Sequence, residues 1–211
     1  MTRFGVDEAG KGPVLGSMFA AAVAGDPGDL PGGVADSKRL TPTRRETLDE
    51  AIRESMRVGV AEIPVARIDD PETDMNKLGV AAQADALSQV ASDGFAGHVD
   101  AADVDEARFG ERVATAVPVD VDVTAEHGAD DEYDLVAAAS VVAKVARDAH
   151  VAALAEEYGE VGSGYPSDPA TREFLAEYVR EHGELPQCAR ESWQTSRDAL
   201  AAAEQSALGE F

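Results

Sequence analysis

The sequence predicts an α/β protein: a mixed five-stranded sheet flanked by helices, with a helical extension at its C-terminal end. Three observations predict it. A chain of 211 residues with 44% apolar content is long enough to bury a full core. Up to residue 157, short apolar or alternating runs are interleaved with longer segments of helical period. Beyond residue 157 only helical spacing and loops remain.

The elements follow in order. Residues 4–7 are a short apolar run, and after the turn at 10–13 a second run, 14–23, is rich in small residues, as a buried antiparallel partner would be. A hairpin is expected. Residues 25–33 form a Pro/Gly loop, and Thr41-Pro42 supplies an N-cap and a first-position proline for a helix to about residue 55. Residues 57–64 alternate as a third strand. Residues 76–92 carry helical spacing in Leu78, Ala81, Ala82, Leu87 and Val90, and the strand at 95–99 ends directly on Asp100. A short helix at 106–116 precedes a strand at 117–125, whose alternation of Val and Asp leaves one face wet. A long Ala/Val-rich helix runs over about 134–157, then a loop centred on 162–166 leads to two helices at about 168–182 and 190–204. The chain so divides into a core, 1–157, a helical extension packed on it, 158–204, and a tail, 205–211.

Acids outnumber bases 41 to 18, a net charge of −23 that by itself opposes binding to DNA or RNA. Only four of the bases are lysines, against fourteen arginines. This usage resembles that of proteins from salt-accumulating archaea, where the Debye length shrinks to about 3 Å and repulsion by a phosphate backbone is screened. The charge then reports habitat more than partner. Cys188 stands alone, which excludes a disulfide framework and a thiolate zinc site, and the four histidines show no ligating spacing. No run approaches the roughly 20 apolar residues of a membrane span, and no signal-peptide pattern opens the chain. A soluble, cytoplasmic, monomeric protein is expected.

Acid pairs mean little in this composition, since chance alone gives about eight adjacent pairs. Asp7-Glu8 differs because it ends an apolar strand, where an ionised carboxylate is expensive unless a cation or proton compensates, and precedes the turn Gly10-Lys11-Gly12. Residues 5–11 match the first positions of a phosphate-binding Walker A loop, but Gly12 replaces its Ser or Thr and Pro13 blocks an immediate helix. The dinucleotide fingerprint fails at Leu15. Asp100 occupies the same kind of strand end as Asp7, and adjacent strands would bring the two within reach of one metal. Asp103 and Asp105 are its rivals and read as surface acids. Asp130 follows the last strand and precedes the helix that carries Ser140 and Lys144; Asp131 beside it reads as a helix cap.

Six ordered segments carry a family resemblance: 5–16 (GVDEAGKGPVLG), 36–41 (DSKRLT), 100–104 (DAADV), 127–131 (HGADD), 138–148 (AASVVAKVARD) and 162–169 (GSGYPSDP). Together they resemble archaeal ribonuclease HII across nearly the whole chain. The resemblance implies a ribonuclease H-like catalytic core over 1–157. It implies an endoribonuclease that cuts the RNA strand of RNA/DNA hybrids and cuts at ribonucleotides embedded in duplex DNA. By the same resemblance, two Mg²⁺ or Mn²⁺ ions are held by Asp7, Glu8, Asp100 and Asp130, and the products are a 3′-hydroxyl and a 5′-phosphate. The family's Gly-Arg-Gly turn falls on Gly10, Lys11 and Gly12, where lysine keeps the charge but loses the planar fork. Its substrate-reading tyrosine falls on Tyr165. Lys38, Ser140 and Lys144 lie inside family motifs and are expected at the substrate. The tail spells Gln205-x-x-Leu208-x-x-Phe211, the pattern of sliding-clamp (PCNA) binding peptides, which seat an aliphatic and an aromatic anchor in an apolar pocket. The rival readings are another acid-cluster DNA nuclease and a non-catalytic adaptor bound to the clamp.

Overall fold

The computed structural model describes residues 3–34 and 40–209, with the side chains of 206–209 outside the description. They pack into two compact units, the first made of 1–9, 19–62 and 74–147, the second of 10–18, 63–73 and 148–211. Neither unit is contiguous, and the second takes 10–18, 63–73 and 148–157 from within the stretch 1–157 that the sequence reading treats as one piece.

The first unit is built on a five-stranded sheet in the order β3-β2-β1-β4-β5, made of β1 (Arg3–Ala9), β2 (Met18–Gly25), β3 (Arg57–Ile63), β4 (Phe95–Asp100) and β5 (Val121–Glu126). β1 pairs antiparallel with β2, as the hairpin reading expects, and parallel with β4, which pairs parallel with β5. The sheet is therefore mixed. Its helices are α1 (Pro42–Ser55), α3 (Met75–Ser88), α4 (Glu106–Ala116), the single turn α5 (Ala129–Glu132) and the first part of α6 (Asp134–Tyr158). Thr41 caps α1 by accepting from the Arg44 N–H, with Pro42 at the first helical position.

Alternation along the strands sorts the helices onto two faces. On the face shared by Gly5, Asp7, Ala21 and Val23, the small residues Ala137 to Ala139 and Ala143 let α6 settle against the sheet together with Leu48 and Ile52 of α1. The approach is close. A Cβ on Gly5 would sit 2.2 Å from the carbonyl carbon of Leu135. The opposite face, that of Val6 and Glu8, is covered by α3, and Gly79 of α3 sits against Ala102 and Phe109.

The second unit contains the turn α2 (Val65–Ile68), the remainder of α6, α7 (Pro169–His182) and α8 (Gln194–Gly209). Its core gathers Val14, Leu15, Leu154, Val161, Leu175, Cys188 and Ala189. Asp168 caps α7 with Pro169 behind it, and Gly183 ends the helix at φ 75.

Several boundaries differ from the sequence reading: the first strand runs on to Ala9 rather than ending at 7, the helix expected over 76–92 spans Met75–Ser88, and three further differences have a clear physical cause. The second strand begins at Met18 rather than at 14, because Val14 and Leu15 donate to the Gly164 carbonyl and Leu15 bridges Ala189 instead. The fifth strand begins at Val121 rather than at 117, because Val117 closes α4 through its N–H to Val113 and Pro118 has no N–H to give a ladder. The last helix begins at Gln194 rather than at 190, the intervening residues being drawn to other partners. The short turns α2 and α5 escape periodicity altogether.

Candidate active site

The parallel register pairs Val6 of β1 with Val99 of β4. One step further along each strand stand Asp7 and Asp100, at the same level and on the same face. Asp7 is 6% exposed. Burial pushes its carboxyl well above the usual carboxylate range, and the charges of Glu8 and Asp100 push it the same way. Two donors oppose the shift: the Ser140 hydroxyl, and the Glu8 N–H at 2.7 Å from Oδ1. Ser140 is fully buried on α6 and accepts from Lys144 Nζ at 2.8 Å, one helical turn further on. The family segment on α6 thus brings a hydroxyl and a cation to the Asp7 side of the sheet.

Glu8 turns to the other face. There Gln83 of α3, itself fully buried, donates through Nε2 to Glu8 Oε2 and, at 2.8 Å, to the Asp100 carbonyl. Both partners only accept, so the amide nitrogen must face them. Asp100 Oδ1 accepts from the Ala129 N–H at 2.9 Å, which ties β4 to the start of α5. Burial raises the Asp100 carboxyl and the Asp130 charge adds to the rise, while the N–H groups of Ala129 and Gly128 and the charge of His127 oppose it. Asp130 is half-buried inside α5, which opens at Gly128 with φ 67. Tyr133 closes that turn by stacking on His98 at 3.6 Å and donating to Glu126 Oε1 at 2.9 Å.

Among the described residues, no three or more His, Cys, Asp or Glu side chains are gathered closely enough to form a metal-binding group as they stand. The four acids are instead electrostatic neighbours: Glu8 and Asp100 act on Asp7, and Asp130 acts on Asp100. All offer hard oxygen, two are penalised by burial, and a divalent cation would relieve both penalties. Mg²⁺ and Mn²⁺ suit an open carboxylate set of this kind, since they complete their shells with water and substrate phosphate rather than with an all-protein cage. The donor set fits the group.

The glycine turn and Tyr165 lie in the second unit. Gly10 has φ 88, and a Cβ on Gly12 would sit 3.7 Å from Tyr165 Cε1, so the structure brings these residues together. Tyr165 is 39% exposed. Its loop is braced from α7, where Thr171 Oγ1 accepts from the Gly164 N–H and donates to the Val161 carbonyl, both at 2.9 Å. Asp168 accepts from the Ser163 N–H at 2.6 Å. Gln205 is exposed near the end of α8, whereas Lys38, Phe211 and the side chain of Leu208 lie outside the described residues.

Asp103 corrects the sequence reading. It is 3% exposed rather than a surface acid, with its carboxylate 2.8 Å from Arg108. Asp105 caps α4, and Asp131 lies within α5, where Gly128 rather than an acid holds the cap position. Sequence reasoning missed Gln83. Its signal was an amide in the otherwise apolar and small-residue run 78–84.

The ribonuclease HII family profile matches residues 4–196. A curated ribonuclease HII from Halobacterium salinarum is 77% identical over 212 aligned positions, covering all of both chains. The crystal structure of a ribonuclease H2 from Pyrococcus horikoshii superposes with a TM-score of 0.90 at 37% identity, over 97% of this chain and 100% of that one. The ribonuclease HII of the PCNA:RNase HII complex from Archaeoglobus fulgidus is also 37% identical, with a TM-score of 0.85 over 92% of this chain and 96% of that one.

Two outcomes follow from the acid cluster. Asp7→Asn removes a buried charge whose raised carboxyl disfavours the folded state as pH climbs from the ordinary carboxylate range through the shifted one. In chelator at pH 8 the variant is expected to be more stable than the parent by about 1–2 kcal/mol in thermal melts, with the gap closing toward pH 4 while activity is lost. Gln83→Leu, which leaves Glu8 without its anchor, is expected to raise the Mg²⁺ concentration for half-maximal cleavage about 10-fold in a metal titration.

Proposed function

The chain belongs to the ribonuclease HII family and is an endoribonuclease acting on the RNA strand of RNA/DNA hybrids, and from that premise we propose the finer reading that follows. It hydrolyses hybrids and also cuts at ribonucleotides embedded in duplex DNA, leaving a 3′-hydroxyl and a 5′-phosphate. The observation that carries this reading is the β1/β4 register, which sets Asp7 and Asp100 side by side with Glu8 and Asp130 as neighbours. Asp7, Glu8, Asp100 and Asp130 would hold the metal. Two Mg²⁺ or Mn²⁺ ions, when bound, supply an acidified water and a sink for charge on the leaving 3′-oxygen.

The chain's own groups do the remaining work. Gln83 holds Glu8 and the end of β4 in one geometry. The Ala129 N–H fixes one oxygen of Asp100, and the Ser140 hydroxyl, itself bonded to Lys144, steadies Asp7. RNA differs from DNA along the backbone by the 2′-hydroxyl alone, so discrimination rests on groups that can reach it. Tyr165 carries a phenol that can donate to that oxygen and a ring that can pack on the neighbouring sugar. Gly12, beside the ring, has no side chain to keep a sugar away.

At the C-terminal end, Gln205, Leu208 and Phe211 would dock on a sliding clamp. The motif supports this, as does the likeness to the Archaeoglobus fulgidus protein solved as a PCNA complex.

A labelled DNA duplex with one ribonucleotide, incubated in molar KCl with and without Mg²⁺ or Mn²⁺, tests the reading. Cleavage on the 5′ or 3′ side of the ribonucleotide only with metal is expected, and equal cutting of an all-DNA duplex would replace it with a DNA nuclease. Tyr165→Phe is expected to slow cutting at the lone ribonucleotide about 10-fold or more with the metal requirement unchanged, as loss of one well-aimed hydrogen bond would do. Deletion of 205–211 is expected to abolish retention on immobilised clamp while leaving hydrolysis of a short hybrid intact.

A further inference from the structure

Arg190 is the largest fully buried side chain in the described structure, and its guanidinium is spent on main chain. Nη2 donates to the Gly10 carbonyl at 2.7 Å, Nη1 to the Lys11 carbonyl at 3.1 Å, and Nε to the Gly16 carbonyl at 2.9 Å. The guanidinium lies 4.8 Å from the centre of the Trp193 ring, and Trp193 Nε1 donates to the Gly12 carbonyl at 3.3 Å. Every carbonyl of the turn 10–12 is therefore held by one of two side chains about 180 residues away in sequence.

The holder is itself held. Arg190 donates from its own N–H to Val14 at 2.8 Å, next to the Leu15–Ala189 bridge, and Gly16 donates to Cys188 at 2.7 Å. Asp69 accepts from the N–H groups of Glu191 and Ser192 at 2.8 and 3.0 Å. Such a frame fixes the direction of the guanidinium fork before any ligand arrives.

Fixing the carbonyls fixes the amides. In a trans peptide the C=O and the following N–H point in opposite directions. With the Gly10 and Lys11 carbonyls both turned to Arg190, the N–H groups of Lys11 and Gly12 both turn away from it. Two successive amides on one side make a small donor nest for an oxygen anion. The peptide after Gly12 belongs to Pro13 and has no N–H, so the nest ends there.

We propose that Arg190, assisted by Trp193, is the positioning residue for substrate recognition by the turn 10–12: it commits the turn's carbonyls and aims the Lys11 and Gly12 amides at a sugar-phosphate oxygen of the ribonucleotide. This rests on the reading of the chain as an enzyme that recognises ribonucleotides. The turn then presents two aimed donors to its substrate. Lysine cannot replace arginine here, because one ammonium cannot reach three separated carbonyls as a planar fork does.

The test compares the full-length parent with Arg190→Lys and Trp193→Phe on the single-ribonucleotide duplex, below the melting temperature of each and normalised to folded protein by circular dichroism. Arg190→Lys is expected to lower kcat about 100-fold, as a small misplacement of a binding group does, with the Mg²⁺ concentration for half-maximal rate within about twofold of the parent. Trp193→Phe keeps a ring over Arg190 and loses one hydrogen bond, so a drop of about 3- to 10-fold is expected. A purely structural role would lower the melting temperature but leave kcat per folded molecule unchanged, and that result overturns the proposal. If Arg190→Lys does not fold, the Trp193→Phe rate decides in the same way. A parent that ignores the ribonucleotide duplex defeats the underlying reading, and the proposal with it; an active parent with unchanged folded variants defeats the proposal alone.

Discussion

Repulsion among carboxylates that the sheet forces together is the constraint on which the first unit depends. A parallel β1/β4 pair places Asp7 and Asp100 at one level, and chain continuity puts Glu8 beside them. Left alone, such a group would drive its members to protonate or swing apart. The fold opposes both outcomes with donors: Ser140 toward Asp7, the Ala129 N–H toward Asp100, and Gln83 toward Glu8. Each donor needs its own helix brought close. Gly5 and the alanines of α6 allow the approach that carries Ser140 to Asp7, and Gly79 lets α3 lie close to Ala102 and Phe109 while presenting Gln83. Small residues in this core therefore serve the electrostatics of the strand ends as much as the packing.

The second unit solves a different problem with a different chemistry. In the proposed reading its recognition groups are mostly main chain, and main chain in a glycine-rich turn has no orientation of its own. A buried arginine, an indole N–H and a threonine hydroxyl on α7 supply that orientation, for the turn 10–12 in the first two cases and for the loop of Tyr165 in the third. The cost of burying a guanidinium is offset by main-chain carbonyls that would otherwise need partners themselves.

Much of the sheet and of the acid set was legible in the sequence, for a physical reason. Apolar runs that end on an acid, as at Asp7 within β1 and Asp100 at the end of β4, advertise an expensive charge that needs compensation there. Asp130 was legible by its place between a strand and a long helix, although periodicity could not show the single turn α5 around it. What sequence could not show were contacts made across large separations. Nothing among fourteen arginines singled out Arg190, and Asp103 read as surface because its burial depends on Arg108 reaching back over it. The strand beginning expected at 14 failed for the same reason: Val14 and Leu15 are apolar enough for the sheet, but their amides are claimed by Gly164.

A net charge of −23 sharpens what recognition of a polyanion must involve. Long-range attraction cannot supply the affinity, since the sum of charges has the wrong sign, and in molar salt what field remains would be screened beyond about 3 Å. Only contact-range forces survive that screening. The proposed contacts, hard cations shared between carboxylate and phosphate, aimed amides, and a phenol against a sugar, are all of that range, and each demands that the protein hold its groups before the substrate arrives. An acidic exterior and a rigidly braced interior are thus two consequences of one condition, and the buried fork of Arg190 belongs to the second as much as the acids of the surface belong to the first.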